Sequence, residues 1–175
     1  PVTLSNCSNN YGPYQFPEKL IPLMLLQLLE DKPLPLYGTG TNVRDWLHVD
    51  DHAAAIWSIL QRGSLGETWN VGADNEWRNI DLVESLCDIV AELTERSATE
   101  LRSRIEFVAD RPGHDYRYAV SSEKLVSELG WKPTITFDEG LRDTARWYMA
   151  HMDWVEAIRS GEYQRWMDAN YGQRE

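Results

Sequence analysis

Cysteine is scarce in this chain. Cys7 and Cys87 are the only two in 175 residues, too few for a disulfide framework, and they are expected to be reduced thiols in a cytoplasmic protein. Long apolar runs are missing as well. The longest, Leu20 to Leu29, is interrupted by Pro22 and Gln27 and falls well short of the ~20 residues that cross a bilayer; no signal-peptide pattern precedes it. Positive charge is in deficit: 17 Lys and Arg face 28 Asp and Glu, a net charge of −11. That balance argues against a nucleic-acid partner, whose phosphates demand a basic surface. Any anion-binding site must then be a local cluster of cations. No initiator Met is present, and Pro1 leads almost at once into Val2-Thr3-Leu4, expected to be a buried inner strand. On that ground the chain is expected to be a piece of a larger protein. Internal repeats, low-complexity tracts and obvious linkers are absent too.

Two chemistries lack their signatures. In Gly38-Thr39-Gly40-Thr41-Asn42-Val43 a dinucleotide fingerprint would need a third glycine where Val43 stands, so no phosphate cradle is expected there. His48, His52, His114 and His151 show no zinc-ligand spacing with one another or with the distant cysteines. What remains is ordinary for a globular domain: 42% hydrophobic and 26% charged residues. The length suits about one domain, able to bury roughly 70% of its unfolded surface.

The stretch from Ser8 to Pro22 is the densest in chemistry. Adjacent amides Asn9 and Asn10 sit where a strand hands over to a loop, which in open α/β sheets is the ligand-facing edge. They would serve equally well as turn caps. Pro17 suits a first helical turn, and Glu18 suits the positive end of the helix dipole. The helix is expected to run to about Asp31. Pro35 confines Leu34-Pro35-Leu36-Tyr37 to an edge strand. Trp46 to Val49 is predicted as a strand, and Asp50-Asp51 as caps of a helix reaching Gln61. Arg44 beside Asp45 allows a local surface ion pair, of little energetic weight. A guanidinium is also well shaped for a diphosphate.

Farther on, Thr68 to Val71 is a predicted strand. Asn79 is the expected N-cap of a helix with apolar residues at Leu82, Val83, Leu86, Ile89, Val90 and Leu93, a stripe of 3.6-residue period. Ile105 to Val108 reads as a strand. Asp110 to Asp115 is a turn rich in functional groups, with Arg111 held between Asp110 and Pro112. Ser121-Ser122 should cap a short helix closed by Gly130, with Pro133 beyond it. Thr136 opens another helix. The tail from His151 carries Trp154, Ile158, Tyr163, Trp166 and Tyr171, a packing surface; the tryptophans are expected in the core rather than as a stacking platform for bases.

Taken in order, Asn9-Asn10-Tyr11-Gly12-Pro13, Phe16-Pro17-Glu18-Lys19-Leu20, Arg44-Asp45-Trp46, Val49-Asp50-Asp51-His52, Asp110-Arg111-Pro112-Gly113-His114-Asp115 and Gly130-Trp131-Lys132-Pro133 resemble the C-terminal half of the extended short-chain dehydrogenase/reductases that act on nucleotide sugars. FPEKLIP, DRPGHD and the aromatic tail resemble the dTDP-glucose 4,6-dehydratase family in particular. The resemblance implies an α/β fold: a C-terminal substrate-binding lobe with a few strands of the Rossmann sheet and most of the Rossmann lobe missing. Residues 1–16 would be the last Rossmann strand and substrate loop, 17–150 the substrate lobe and 151–175 the tail. It also implies NAD, held mainly by the missing N-terminal lobe, a dTDP-sugar substrate and a homodimeric full enzyme. In such an enzyme hydride leaves C4 of the sugar for NAD, water is lost across C5 and C6, and hydride returns to C6.

By the same resemblance Asn10 meets the cofactor. Asn9, Lys19, Leu20, Pro35, Tyr37, Arg44, Asn79, Arg111 and His114 meet the nucleotide sugar, with Pro35 to Tyr37 forming the pyrimidine pocket. The catalytic groups belong to the missing lobe. The lysines Lys19, Lys32, Lys124 and Lys132 follow Gln15, Leu28, Val120 and Glu128 by four positions, so no Tyr-x-x-x-Lys pair exists. The chain alone is expected to be inactive. A nucleotide-sugar epimerase or decarboxylase, and a free-standing binding module, stay open as alternatives.

Overall fold

The computed structural model describes residues 1–110 and 112–161; Arg111, Tyr163, Trp166 and Tyr171 lie outside them. In chain order the elements are β1 (Leu4–Cys7), β2 (Asn9–Tyr11), α1 (Leu20–Leu29), β3 (Leu34–Tyr37), β4 (Val43–His48), α2 (Val49–Arg62), β5 (Thr68–Val71), β6 (Glu76–Arg78), α3 (Asn79–Thr94), α4 (Ala98–Arg102), β7 (Ile105–Val108), β8 (Arg117–Tyr118), α5 (Glu123–Leu129), α6 (Phe137–Ala150) and α7 (Met152–Arg159). Three small sheets result. β1 pairs with β5 and β3 with β7, both parallel. β4 takes β2 and β8 in parallel and β6 antiparallel.

Between β1 and β2 the chain changes sheets at Ser8, whose N–H donates to Val71 O at 3.0 Å. The two sheets therefore meet where the amide pair begins. A larger core gathers Tyr11, Trp46 and the inner faces of α1, α3 and α6. A smaller one holds Leu47, Ala55, Ile59, Trp69, Val71, Leu125, Leu129 and Trp131. Helix α1 buries Ile21, Met24, Leu25, Leu26 and Leu28, apolar nearly all round, as a helix inside a core must be.

Several expectations need correction. The first strand is Leu4–Cys7 rather than Val2 to Leu4, and its Leu4, Ser5 and Asn6 are exposed. Helix α1 starts at Leu20, so Pro22 occupies the first turn in place of Pro17, and that turn holds no acid. The cap of α2 is His48, whose Nδ1 accepts from Asp50 N. Asp51 instead accepts from Thr134 N, Thr134 Oγ1 and Ile135 N, bracing α2 against the segment before α6. Asn79 is the first residue of α3, and Arg78 stands at its N-cap. Ser121 Oγ, not Ser122 Oγ, accepts from Glu123 N; Ser122 Oγ accepts from Gly72 N and donates to Gly72 O. Arg62 donates to Ser58 Oγ and Leu129 O, tying α2 to the end of α5. Trp57 is 59% exposed and lies outside both cores. Strands β6 and β8 and helix α4 are too short to carry a period and were not foreseen.

Other expectations hold. Gly130, at φ 66°, closes α5, and Thr136 and Glu139 form a reciprocal capping box on α6. The tightest joint is between α6 and β2. A Cβ on Gly140 would overlap the Tyr11 hydroxyl, lie 3.0 Å from Tyr11 Cζ and lie 3.1 Å from His48 Cδ2. Burial holds the Tyr11 hydroxyl well above the usual tyrosine range. Its ring packs edge-on against Trp46, His48 and Phe137 and cannot retreat. Gly140→Ala should therefore cost about 1–3 kcal/mol of folding stability, the usual range for overpacking, measured by urea denaturation. An unchanged midpoint and slope would refute this account of the joint.

Candidate functional site

A cavity of about 400 Å3 opens between the loop before α1, strand β3 and the first half of β4. Asn9, Lys19, Leu20, Pro35, Tyr37, Arg44, Asn79 and His114 all stand on its wall. These are the sequence-derived candidates for the nucleotide sugar with the exception of Arg111, which lies outside the described residues. Gln15, Glu18, Leu23, Met24, Leu36 and Trp46 complete the lining. Some of these were within reach of the sequence. Leu23 and Met24 follow Leu20 at helical spacing, and Trp46 shares a strand face with Arg44. Gln15 gave no signal at all.

Arg44 is held by backbone oxygens. Its Nη1 donates to Val43 O at 2.7 Å and its Nη2 to Asp115 O at 2.8 Å, with Tyr116 O at 3.5 Å from Nη1. The side chain thus lines the cavity and anchors the turn that carries His114. No pair forms with Asp45, whose carboxylate accepts from Ala73 N at 3.0 Å and Asn75 N at 2.8 Å. Strand alternation separates the two neighbours onto opposite faces.

His114 Nδ1 lies 2.7 Å from Asp110 Oδ1, which fixes the imidazole through a carboxylate. Its ring meets Tyr37 edge to face, centroids 6.2 Å apart. Tyr37 is 48% exposed, so ordinary strand packing does not explain it. Asn79 N donates to Asn42 O at 2.9 Å, while its buried Oδ1 has no hydrogen-bond partner among the described residues.

Asn10 does not line this cavity. It points to the other face of β2, where Nδ2 donates to Ser8 O at 3.1 Å and Oδ1 lies 2.8 Å from His52 Nδ1. Its main-chain oxygen accepts from Gln15 Nε2 at 2.7 Å. Both ends of the carboxamide are therefore engaged within the protein.

A larger hollow of about 880 Å3 lies on the Asp45 face of β4, between Gly72, Glu76 and Ser121 to Ser127. Several of its polar groups are spent on one another. Asp45 serves the Ala73 and Asn75 amides, Ser122 serves Gly72, and Arg117 forks onto Glu76 at 2.6 and 2.5 Å. Size alone would favour it. The convergence of donors and rings favours the smaller cavity. Among the described residues no cluster of three metal-ligating side chains occurs, and no helix is long and apolar enough to cross a membrane.

A family model described as GDP-mannose 4,6 dehydratase matches residues 1–144. The chain belongs to the GDP-mannose 4,6 dehydratase family. Within that family, a dTDP-glucose 4,6-dehydratase of Escherichia coli is 52% identical over 175 residues, covering 100% of this chain and 48% of its own length. A probable dTDP-glucose 4,6-dehydratase of Sinorhizobium fredii is 55% identical over 163 residues, covering 93% of this chain and 46% of its own length. The solved dTDP-glucose 4,6-dehydratase of Bacillus anthracis, in complex with NAD, superposes with a TM-score of 0.78 at 49% identity, over 88% of this chain and 46% of that one. A Streptomyces venezuelae dTDP-glucose 4,6-dehydratase with NAD bound gives 0.78 at 42% identity, over 87% and 45%. The chain spans about half the length of the curated relatives it matches, and it matches their C-terminal half. Its α/β fold with parallel strand pairs is that of the extended short-chain dehydrogenase/reductases.

His52 lies against the amide pair, and burial lowers its pKa below the ordinary histidine value. A depressed folded-state value means that the unfolded chain binds the proton more readily. Stability from this group is then present above the unfolded value near 6.5 and is lost as pH falls through the lower folded one. Folding stability should accordingly drop from pH 7 to pH 5, and by less in His52→Gln. Equal drops in chemical denaturation of the two proteins would exclude His52 as the source.

Proposed function

We propose that this chain is the substrate-binding portion of a dTDP-glucose 4,6-dehydratase working in the cytoplasm, with residues 17–150 as the substrate lobe. The observation that carries this is the single cavity onto which residues scattered from Asn9 to His114 converge. Tyr37 and the backbone of Pro35 and Leu36 take the pyrimidine, with His114 beside it. Arg44 and Arg111 take the diphosphate, and Lys19 and Asn79 add donors. Asn9, at the β2 end, takes the glycosyl group. In an acidic protein the general field repels a dianion, so binding must come from these few placed donors.

NAD fits this chain poorly by itself. Asn10 is the one residue assigned to it, and its carboxamide is already engaged by Ser8 and His52. When bound, NAD supplies the redox half of the chemistry from the N-terminal lobe. This chain's residues bind and orient the sugar nucleotide. The whole enzyme would turn dTDP-glucose into dTDP-4-keto-6-deoxyglucose as a homodimer.

The first test is substrate affinity in the full-length enzyme. A charge-assisted hydrogen bond contributes roughly 1.5–3 kcal/mol, so Arg44→Ala and Arg111→Ala should each weaken dTDP-glucose binding about tenfold to a hundredfold. Arg146→Ala, which removes only an exposed pair with Asp143, should change little. Because Arg44 also anchors the Asp115 turn, Arg44→Lys is the cleaner probe: it keeps the charge and loses the fork. Affinities equal to the parent's for both alanine variants would refute the diphosphate assignment.

A second test concerns the chain by itself. Val2 and Leu4 are 66% and 61% exposed, and Ile56, Trp57 and Leu60 add apolar surface on α2. Parallel pairs such as β1–β5 are normally covered on both faces. The isolated chain should show no dehydratase turnover and no stoichiometric NAD binding in calorimetry, and it should self-associate or bind the N-terminal half. A clean monomer in sedimentation that binds no hydrophobic dye would contradict this.

A further inference from the structure

On the strength of the nucleotide-sugar reading above, we infer that Gln15 is a hydroxyl-reading residue at the glycosyl end of the cavity. No sequence signal marks it, yet it lines the cavity beside Asn9. Its amide has a fixed orientation. The group 2.7 Å from the Asn10 carbonyl oxygen must be a donor, so it is Nε2. Oε1 is then an acceptor, and it is buried without a hydrogen-bond partner among the described residues. A buried acceptor left unpaired is costly, and sites that carry one select ligands that supply the donor.

The backbone around Gln15 is tied down as well. The Tyr148 hydroxyl donates to Gln15 O. Tyr14, at φ 62°, rests on Trp147 with ring centroids 4.5 Å apart. The acceptor is thereby presented from a clamped loop. Its chemistry separates it from the rest of the wall. Lys19 and Arg44 offer donors suited to phosphate oxygens. An unpaired carbonyl oxygen repels a phosphate and takes a sugar hydroxyl. The other unpaired groups on the wall say less. Among the described residues no bond fixes the orientation of the Asn79 amide, and Trp46 borders a second hollow near His48.

The test compares dTDP-glucose with dTDP on the full-length enzyme by calorimetry. Gln15→Met, close in volume and without polar atoms, should weaken dTDP-glucose about tenfold, the size of one lost hydrogen bond, and leave dTDP within about twofold. If Gln15→Met does not fold, Gln15→Asn, which withdraws the amide by one carbon, takes its place in the same comparison. Equal losses for both ligands would make Gln15 a loop anchor only and overturn the inference. Unchanged affinity for both would overturn it too. A parent enzyme that binds neither ligand would overturn the reading of the cavity itself, whereas a binding parent with indifferent variants refutes Gln15 alone.

Discussion

Strand β4 sends successive side chains to opposite faces, and the middle of the molecule depends on that alternation. Arg44 and Trp46 turn toward the cavity. Asp45, between them, turns the other way and holds the Ala73 and Asn75 amides. One strand thus fixes two loops. The Arg44 guanidinium collects the oxygens of Val43, Asp115 and Tyr116, so the turn bearing His114 closes over the cavity. A slip of one residue in the pairing of β4 would exchange the two faces and leave a buried carboxylate and a buried guanidinium without their partners, each worth several kcal/mol. Register and site are therefore specified together.

The loop before α1 is held from the other side. Tyr148 grips Gln15 O, Trp147 and Trp154 cradle Tyr14, and the missing side chain of Gly140 lets Tyr11 reach α6. The aromatic residues of α6 and α7 lie outside the cavity and act on it through this loop. Asn9 and Asn10, adjacent in sequence, consequently face opposite sides of β2, one toward the cavity and one toward His52.

Much was legible in the residues themselves. Pro35 placed β3 at an edge, Gly130 stopped α5, and Thr136 with Glu139 started α6, because φ restriction, left-handed freedom and capping act within a few residues. The 3.6-residue stripe from Leu82 to Val90 fixed α3 and its buried face in the same way. The membership of the cavity came from the family resemblance that the ordered motifs carry, not from period or spacing. Other features depended on partners far along the chain. Asp51 looked like a helix cap and instead serves Thr134 and Ile135, and Arg62 holds Leu129 O, which lies far along the chain.

The sequence by itself determined the longer helices and strands and the shortage of cations, matters of nearest-neighbour sterics and charge, and its ordered motifs carried the resemblance that named the residues eligible for an anion site. Tertiary structure alone decided that Arg44 pairs with carbonyls rather than with Asp45, that Asn10 turns away from the cavity, and that Gln15 stands on its wall with an unspent acceptor. Those outcomes depend on which strand lies beside which, and hydrogen bonds between residues many positions apart leave no period in the sequence.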